Sequence, residues 1–148
     1  MRITSSVFTQ GEQIPSHYTC DGEDVSPPLE IWDVPPRTRS VALLVDDIDV
    51  SNGTPTWVHW VMWNIHPHTT DIKAGHVPKG AVQGKTSFET NHYVGPCPMK
   101  GKHHYRFRVF ALTKEISCSP ECTMEDVEEE MTGHIINEAE LVGTYRRE

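Results

Sequence analysis

The chain has 148 residues, 36% hydrophobic and 23% charged, a length and balance that fit one globular domain with one sizeable core and exclude a disordered tract. Its net charge of −8 is unevenly placed: residues 115–148 hold ten acidic and two basic residues, while residues 1–114 hold eleven of each. An acidic chain of pI about 5.5 is a poor partner for nucleic acid or an anionic membrane, because phosphate backbones reward basic surfaces.

In chain order, Ile3 to Phe8 alternates loosely and reads as a first strand. Residues 11–28 are turn-rich. Leu29 to Trp32 is a short strand stopped by Pro35 and Pro36. Ser40 to Val45 is a short apolar run, β-branched at both ends, which marks a buried strand leading straight into Asp46, Asp47, Ile48 and Asp49. Ser51 to Pro55 reads as a turn. Trp57 to Ile65 is rich in aromatic and β-branched residues and predicts a central strand. Residues 66–85 read as loop. Tyr105 to Leu112 alternates, with Tyr105, Phe107, Val109 and Ala111 on one side, and predicts a strand with one buried face. Met124 to Thr132 predicts the best helix, with Thr123 as N-cap, an apolar stripe of Met124, Val127 and Met131, and Gly133 beyond its end. Glu138 to Tyr145 closes the chain as a last strand. Strands in succession with one late helix predict a mainly β, antiparallel Greek-key sandwich as a single domain over residues 1–148.

Two groups of residues carry chemistry. Asp47 and Asp49, two apart at a strand end, can face one pocket, and His59 is a polar residue in an apolar strand. A buried imidazole needs a hydrogen-bond partner, and a carboxylate is the natural one. Taken alone, these residues also fit a satisfied core histidine beside solvated aspartates. The second group is Gly95-Pro96-Cys97-Pro98 followed by Gly101, His103 and Tyr105. Glycines let backbone N–H groups approach an anion, and His103 and Tyr105 share a strand face. Strand parity puts Trp57 and Trp63 beside His59, with Trp60 turned to the core. Lys100, Lys102, Arg106 and Arg108 form a local basic cluster in the sequence.

Four cysteines, Cys20, Cys97, Cys118 and Cys122, stand in a chain whose N-terminus has no apolar signal-like run. A soluble cytoplasmic protein is the expectation, and in that compartment free thiols are the simplest state. A clip or metal site at Cys118 and Cys122, and a meeting of Cys20 with Cys97, stay open.

The ordered runs Ser26-Pro27-Pro28-Leu29, Asp47-Ile48-Asp49, Trp57-Val58-His59-Trp60, Tyr93-Val94-Gly95-Pro96-Cys97-Pro98 and Gly101-Lys102-His103-His104-Tyr105 resemble the phosphatidylethanolamine-binding protein family, in its short bacterial and archaeal branch. The resemblance implies a Greek-key β-sandwich whose pocket binds phosphate, phospho-headgroups or similar small anions. By motif it assigns ligand-binding roles to Asp47, Asp49, His59, Gly95, Pro96, His103 and Tyr105, and strand parity adds Trp57 as a wall of the same ligand-binding pocket. Ile48, His104 and Met99 depart from the family pattern. The partner expected is a small anionic ligand, with a serine protease as the alternative through an inhibitory or other interaction role. A homodimer is compatible with the sequence. No cofactor, metal, catalytic residue, nucleic acid or transmembrane segment is expected, and a metal-assisted phosphoesterase is the least favoured reading because no metal-binding signature accompanies the Asp and His residues.

Overall fold

The computed structural model describes residues 1–50, Gly53 and residues 55–147. Of the turn expected at Ser51 to Pro55, Ser51, Asn52 and Thr54 lie outside the described residues.

Among the described residues eight strands build two antiparallel sheets. The smaller sheet has the order β1 (Arg2–Thr4), β2 (Leu29–Trp32), β5 (Asp71–Ile72). The larger has the order β6 (Val82–Gln83), β4 (Trp57–Ile65), β3 (Ser40–Asp47), β7 (His103–Leu112), β8 (Ile135–Tyr145). In the large sheet β3 pairs with β4 and β4 with β6, and β7 returns to lie beside β3, which is the Greek-key arrangement. The first strand is shorter than its alternation suggests, and short strands β5 and β6 break the region read as loop.

The inner face of the large sheet packs on the small one. Leu43, Val45, Trp60, Met62, Phe107 and Val109 meet Ile3, Leu29, Ile31 and Ile72 in the main core. The outer face is also covered. Ala42, Leu44, Val61, Trp63, Phe110 and Leu112 pack under helix α1 (Met124–Met131) through Met124, Val127 and Met131. Burying each large apolar side chain stabilises the fold by roughly 1.5–3 kcal/mol. All eight residues of β3 are therefore buried, and β7 is covered on both faces toward its end rather than on one.

The helix forms for the reasons visible in its sequence. Thr123 Oγ1 accepts from the Asp126 N–H at 3.3 Å, and Asp126 Oδ2 accepts from the Thr123 N–H at 3.0 Å. This capping box satisfies donors that the first turn leaves free. Gly133, at φ 83°, takes the left-handed conformation just past the helix end.

Two irregularities interrupt the β3–β4 ladder. Asp46 pairs with Val58 but Val45 pairs with Trp60, so His59 is an extra residue on β4. Such a bulge shifts side-chain parity by one. Trp60 consequently joins the inner core and Trp63 the outer one, which overturns the placement of Trp63 beside His59. A second shift follows between Leu43 and Val41, where Asn64 stands at φ 57° and its side chain bonds the Ile116 backbone at both N–H and C=O.

Candidate functional site

The site lies where β3 ends and β7 begins. Their antiparallel register sets Asp47 opposite Tyr105 and Asp46 opposite Arg106. Side chains alternate, so the two neighbouring aspartates serve opposite faces. Asp46 turns outward and is fully buried. Arg106 donates to both its oxygens at 3.0 and 2.7 Å, and Thr56 Oγ1 donates to Oδ2 at 2.7 Å. That hydrogen-bonded pairing raises the Arg106 pKa above its ordinary value. Arg108 reaches Glu128 at 3.4 Å on the same outer side. The basic cluster read from the sequence is thus divided: Arg106 and Arg108 neutralise carboxylates behind the sheet, and Lys100 stands on the rim of the site.

Asp47 turns inward. Its Oδ2 accepts from His103 Nδ1 at 2.6 Å and its Oδ1 accepts from the Asp49 N–H at 2.9 Å. Both oxygens are held, one by a charge-assisted type of bond and one by an Asx turn. Asp49 Oδ2 accepts from both the backbone N–H of His104 at 2.6 Å and its Nδ1 at 2.7 Å. His104, where the family pattern has another residue, therefore touches a proposed ligand residue directly. Asp47 and Asp49 do border one cavity, as their spacing suggests.

His59 is buried at the bulge. A carbonyl accepts here, so Nδ1 carries the proton and donates to Val94 O at 2.5 Å, while the Val94 N–H donates to His59 O at 3.0 Å. The partner is a backbone carbonyl rather than the expected carboxylate. Burial lowers the His59 pKa, and the imidazole is a neutral group whose Nε2 is left as an acceptor. Its ring meets Phe88 and Tyr105 edge-on at 5.1 and 5.3 Å.

Tyr105 is 1% exposed, and among the described residues its hydroxyl has no hydrogen-bond partner. Burial first, and the Asp47 carboxylate second, push its pKa far above the ordinary phenol value, so it remains a donor across the whole working pH range. The His103 ring lies nearly parallel to it at 6.5 Å.

These groups enclose a cavity of about 450 Å³. Trp57 closes one side, packed edge-on against Phe88 at 5.9 Å. Phe88, Val50 and the segment from Cys97 to Lys100 complete the lining. Sequence reasoning missed Phe88 and Val50, which carry no signal beyond being apolar residues in loops.

Gly95 and Pro96 do not border the cavity. The Gly95 N–H donates to Asp24 Oδ1 at 2.9 Å, and Pro96 O accepts from the Cys20 N–H at 3.1 Å. Gly95 is required for another reason than the anion nest expected: a Cβ there would run into Asp24 Oδ1, the Tyr18 carbonyl and Thr19 Cα. The two residues anchor the cavity wall from behind.

The cysteines are bridged, not free. Cys20 bonds Cys97 (S–S 2.05 Å) and Cys118 bonds Cys122 (1.97 Å). The sequence-distant pairing arises because Pro96 and Cys20 are brought together by their backbone bond. Among the described residues no group of three or more His, Cys, Asp or Glu side chains is arranged to hold a metal ion, and no helix is long and apolar enough to cross a membrane.

Fold and site together define a sandwich protein with one aromatic-lined polar pocket at its strand ends. The family model described as phosphatidylethanolamine-binding protein matches residues 4–146, and the chain belongs to that family. It is 44% identical to a UPF0098 protein of Methanothermobacter thermautotrophicus, with 99% of each chain covered. It is 41% identical to one from Aquifex aeolicus, covering all of this chain and 90% of the other. Among solved structures, a phosphatidylethanolamine-binding protein homolog of Chlamydia trachomatis matches with a TM-score of 0.95 at 38% identity, over 99% of this chain and 97% of that one. YbcL of Escherichia coli, described as a member of the mammalian family, matches with a TM-score of 0.92 at 30% identity, over 99% and 98%.

Proposed function

We propose that the protein is a binding module whose pocket takes a small phosphate-like anion, such as inorganic phosphate or a phospho-headgroup. The observation that carries this reading is Tyr105, which lines the cavity with His103 and whose buried hydroxyl has no hydrogen-bond partner among the described residues. A buried hydroxyl without a partner costs about 1–3 kcal/mol, and a ligand oxygen that accepts its proton recovers that cost. His103, fixed through Nδ1 by Asp47, holds its ring in place on the cavity lining beside Tyr105. Lys100 adds positive charge at the rim.

Two aspartates beside an anion site need an explanation, and their partners supply it. Asp47 accepts two hydrogen bonds and Asp49 two from His104, so each carboxylate is offset by donors. Both oxygens of Asp47 are committed in this way, which favours binding without turnover at that carboxylate, while Asp49 is committed through Oδ2. A binding ligand stabilises the fold by RT ln(1 + [L]/Kd), about 2.7 kcal/mol at a hundredfold excess over Kd. Thermal melts in increasing inorganic phosphate and phosphoethanolamine test the reading: a saturating rise in Tm is the expected result, and a flat response to tens of millimolar of both ends it.

A further inference from the structure

One wall of the cavity is held in an unusual way. Cys97, Pro98, Met99 and Lys100 line it, and β7 begins only at His103. Residues 97–102 lie outside regular structure. Among the described residues, none from 98 to 102 exchanges a backbone hydrogen bond with another segment, and of these five only Pro98 is buried. The fixed points stop just before them, at the Gly95 bond to Asp24 and the Pro96 bond to Cys20. Past those two bonds, the wall is tied to the N-terminal loop by the Cys20–Cys97 disulfide, across 77 residues of sequence, and both of its cysteines are exposed to solvent. Cys118–Cys122 differs on each count. It clips residues four apart, is partly buried against the outer core, and does not line the cavity.

We propose that Cys20–Cys97 is a redox-cleavable strap on the ligand cavity: a dithiol reductant opens it, the wall at residues 97–102 loosens, and the pocket loses affinity for its anion. Exposed disulfides are the ones open to thiolate attack. One thiolate of the reductant attacks a sulfur of the bridge, the S–S bond breaks and a mixed disulfide forms. The reductant's second thiolate then displaces the protein sulfur. Two electrons and two protons pass to Cys20 and Cys97, which become thiols, and the dithiol leaves as its own disulfide. Removing the cross-link restores conformational freedom to a segment with few other attachments. The loosening stands on geometry alone, while the loss of affinity rests on the anion-binding reading above.

Lys100 and Lys102, both exposed, make the wall its own reporter, because trypsin cuts a segment in proportion to how often it opens. The experiment uses the full chain with Cys118→Ser and Cys122→Ser, so that one bridge remains. The strap predicts that a dithiol raises cleavage after Lys100 and Lys102 about tenfold with near-ultraviolet circular dichroism unchanged. Wild-type-background Cys20→Ser/Cys97→Ser protein should be cut at the raised rate without reductant. Unchanged cleavage overturns the proposal. So does cleavage spread over the whole chain with loss of the dichroism signal, since the bridge would then hold the fold rather than the wall. Calorimetric titration with inorganic phosphate separates the two claims. Binding about tenfold weaker after reduction supports the strap, and equal binding in both states overturns it while leaving the anion reading intact. Gated cleavage with no phosphate binding in either state sustains the loosening and sinks the anion reading.

Discussion

His103 Nδ1 stands 2.6 Å from Asp47 Oδ2, joining the start of β7 to the end of β3 across the mouth of the cavity. Asp47 is 4% exposed, so this bond is made in poor contact with water, where charge-assisted pairs matter most. Asp47→Asn removes the charge and one acceptor while keeping the shape. Hydrogen bonds to charged groups contribute about 1.5–3 kcal/mol. Denaturant titration should show a loss of that order, with phosphate affinity falling alongside it because His103 loses its orientation.

The neutral His59 sets a pH dependence. Its folded pKa lies below the ordinary value of 6.5 because burial disfavours the charged ring. Below 6.5 the unfolded chain takes up a proton that the folded one refuses, so stability is retained above that pH and falls as pH drops toward the lowered folded value. Unfolding free energies measured from pH 7.5 down to 5 should decline more steeply for the wild type than for His59→Gln, which does not titrate. Parallel curves would show that His59 is not the source.

Gly95→Ala tests the back of the cavity wall. The new methyl group meets the Asp24 carboxylate and two stretches of backbone, the Tyr18 carbonyl and Thr19 Cα, that cannot swing aside. A loss of 2 kcal/mol or more is expected, on the order of an overpacked core. Gly101→Ala is the control. It meets nothing within 4 Å, and its φ of 74° costs roughly 1 kcal/mol. Equal effects on the melting temperature would contradict this account.

Local signals carried most of the fold. β2 and β4 begin and end where their composition places them, and α1 follows its cap and apolar stripe. What the sequence could not show depends on residues far apart in the chain. The bulge at His59 is invisible in alternation, because it exists only relative to β3, and it sends Trp63 to the outer core instead of to the side of His59. Arg106 looks like a solvated cation until its cross-strand partner Asp46 is known. The Gly95 N–H looks free for a ligand until Asp24 is found against it. Asp47, Asp49, Trp57, His59, His103 and Tyr105 do converge on one cavity, since their spacings fall on strands whose register brings them together.

The sharpest test of the anion pocket is calorimetric titration of inorganic phosphate into wild-type protein and Tyr105→Phe. The substitution removes only a hydroxyl that has no hydrogen-bond partner among the described residues, so Tm should hold or rise. Saturable one-site binding by the wild type, about tenfold weaker in Tyr105→Phe, is the predicted result. No binding at tens of millimolar phosphate, or equal binding by both proteins, would contradict it.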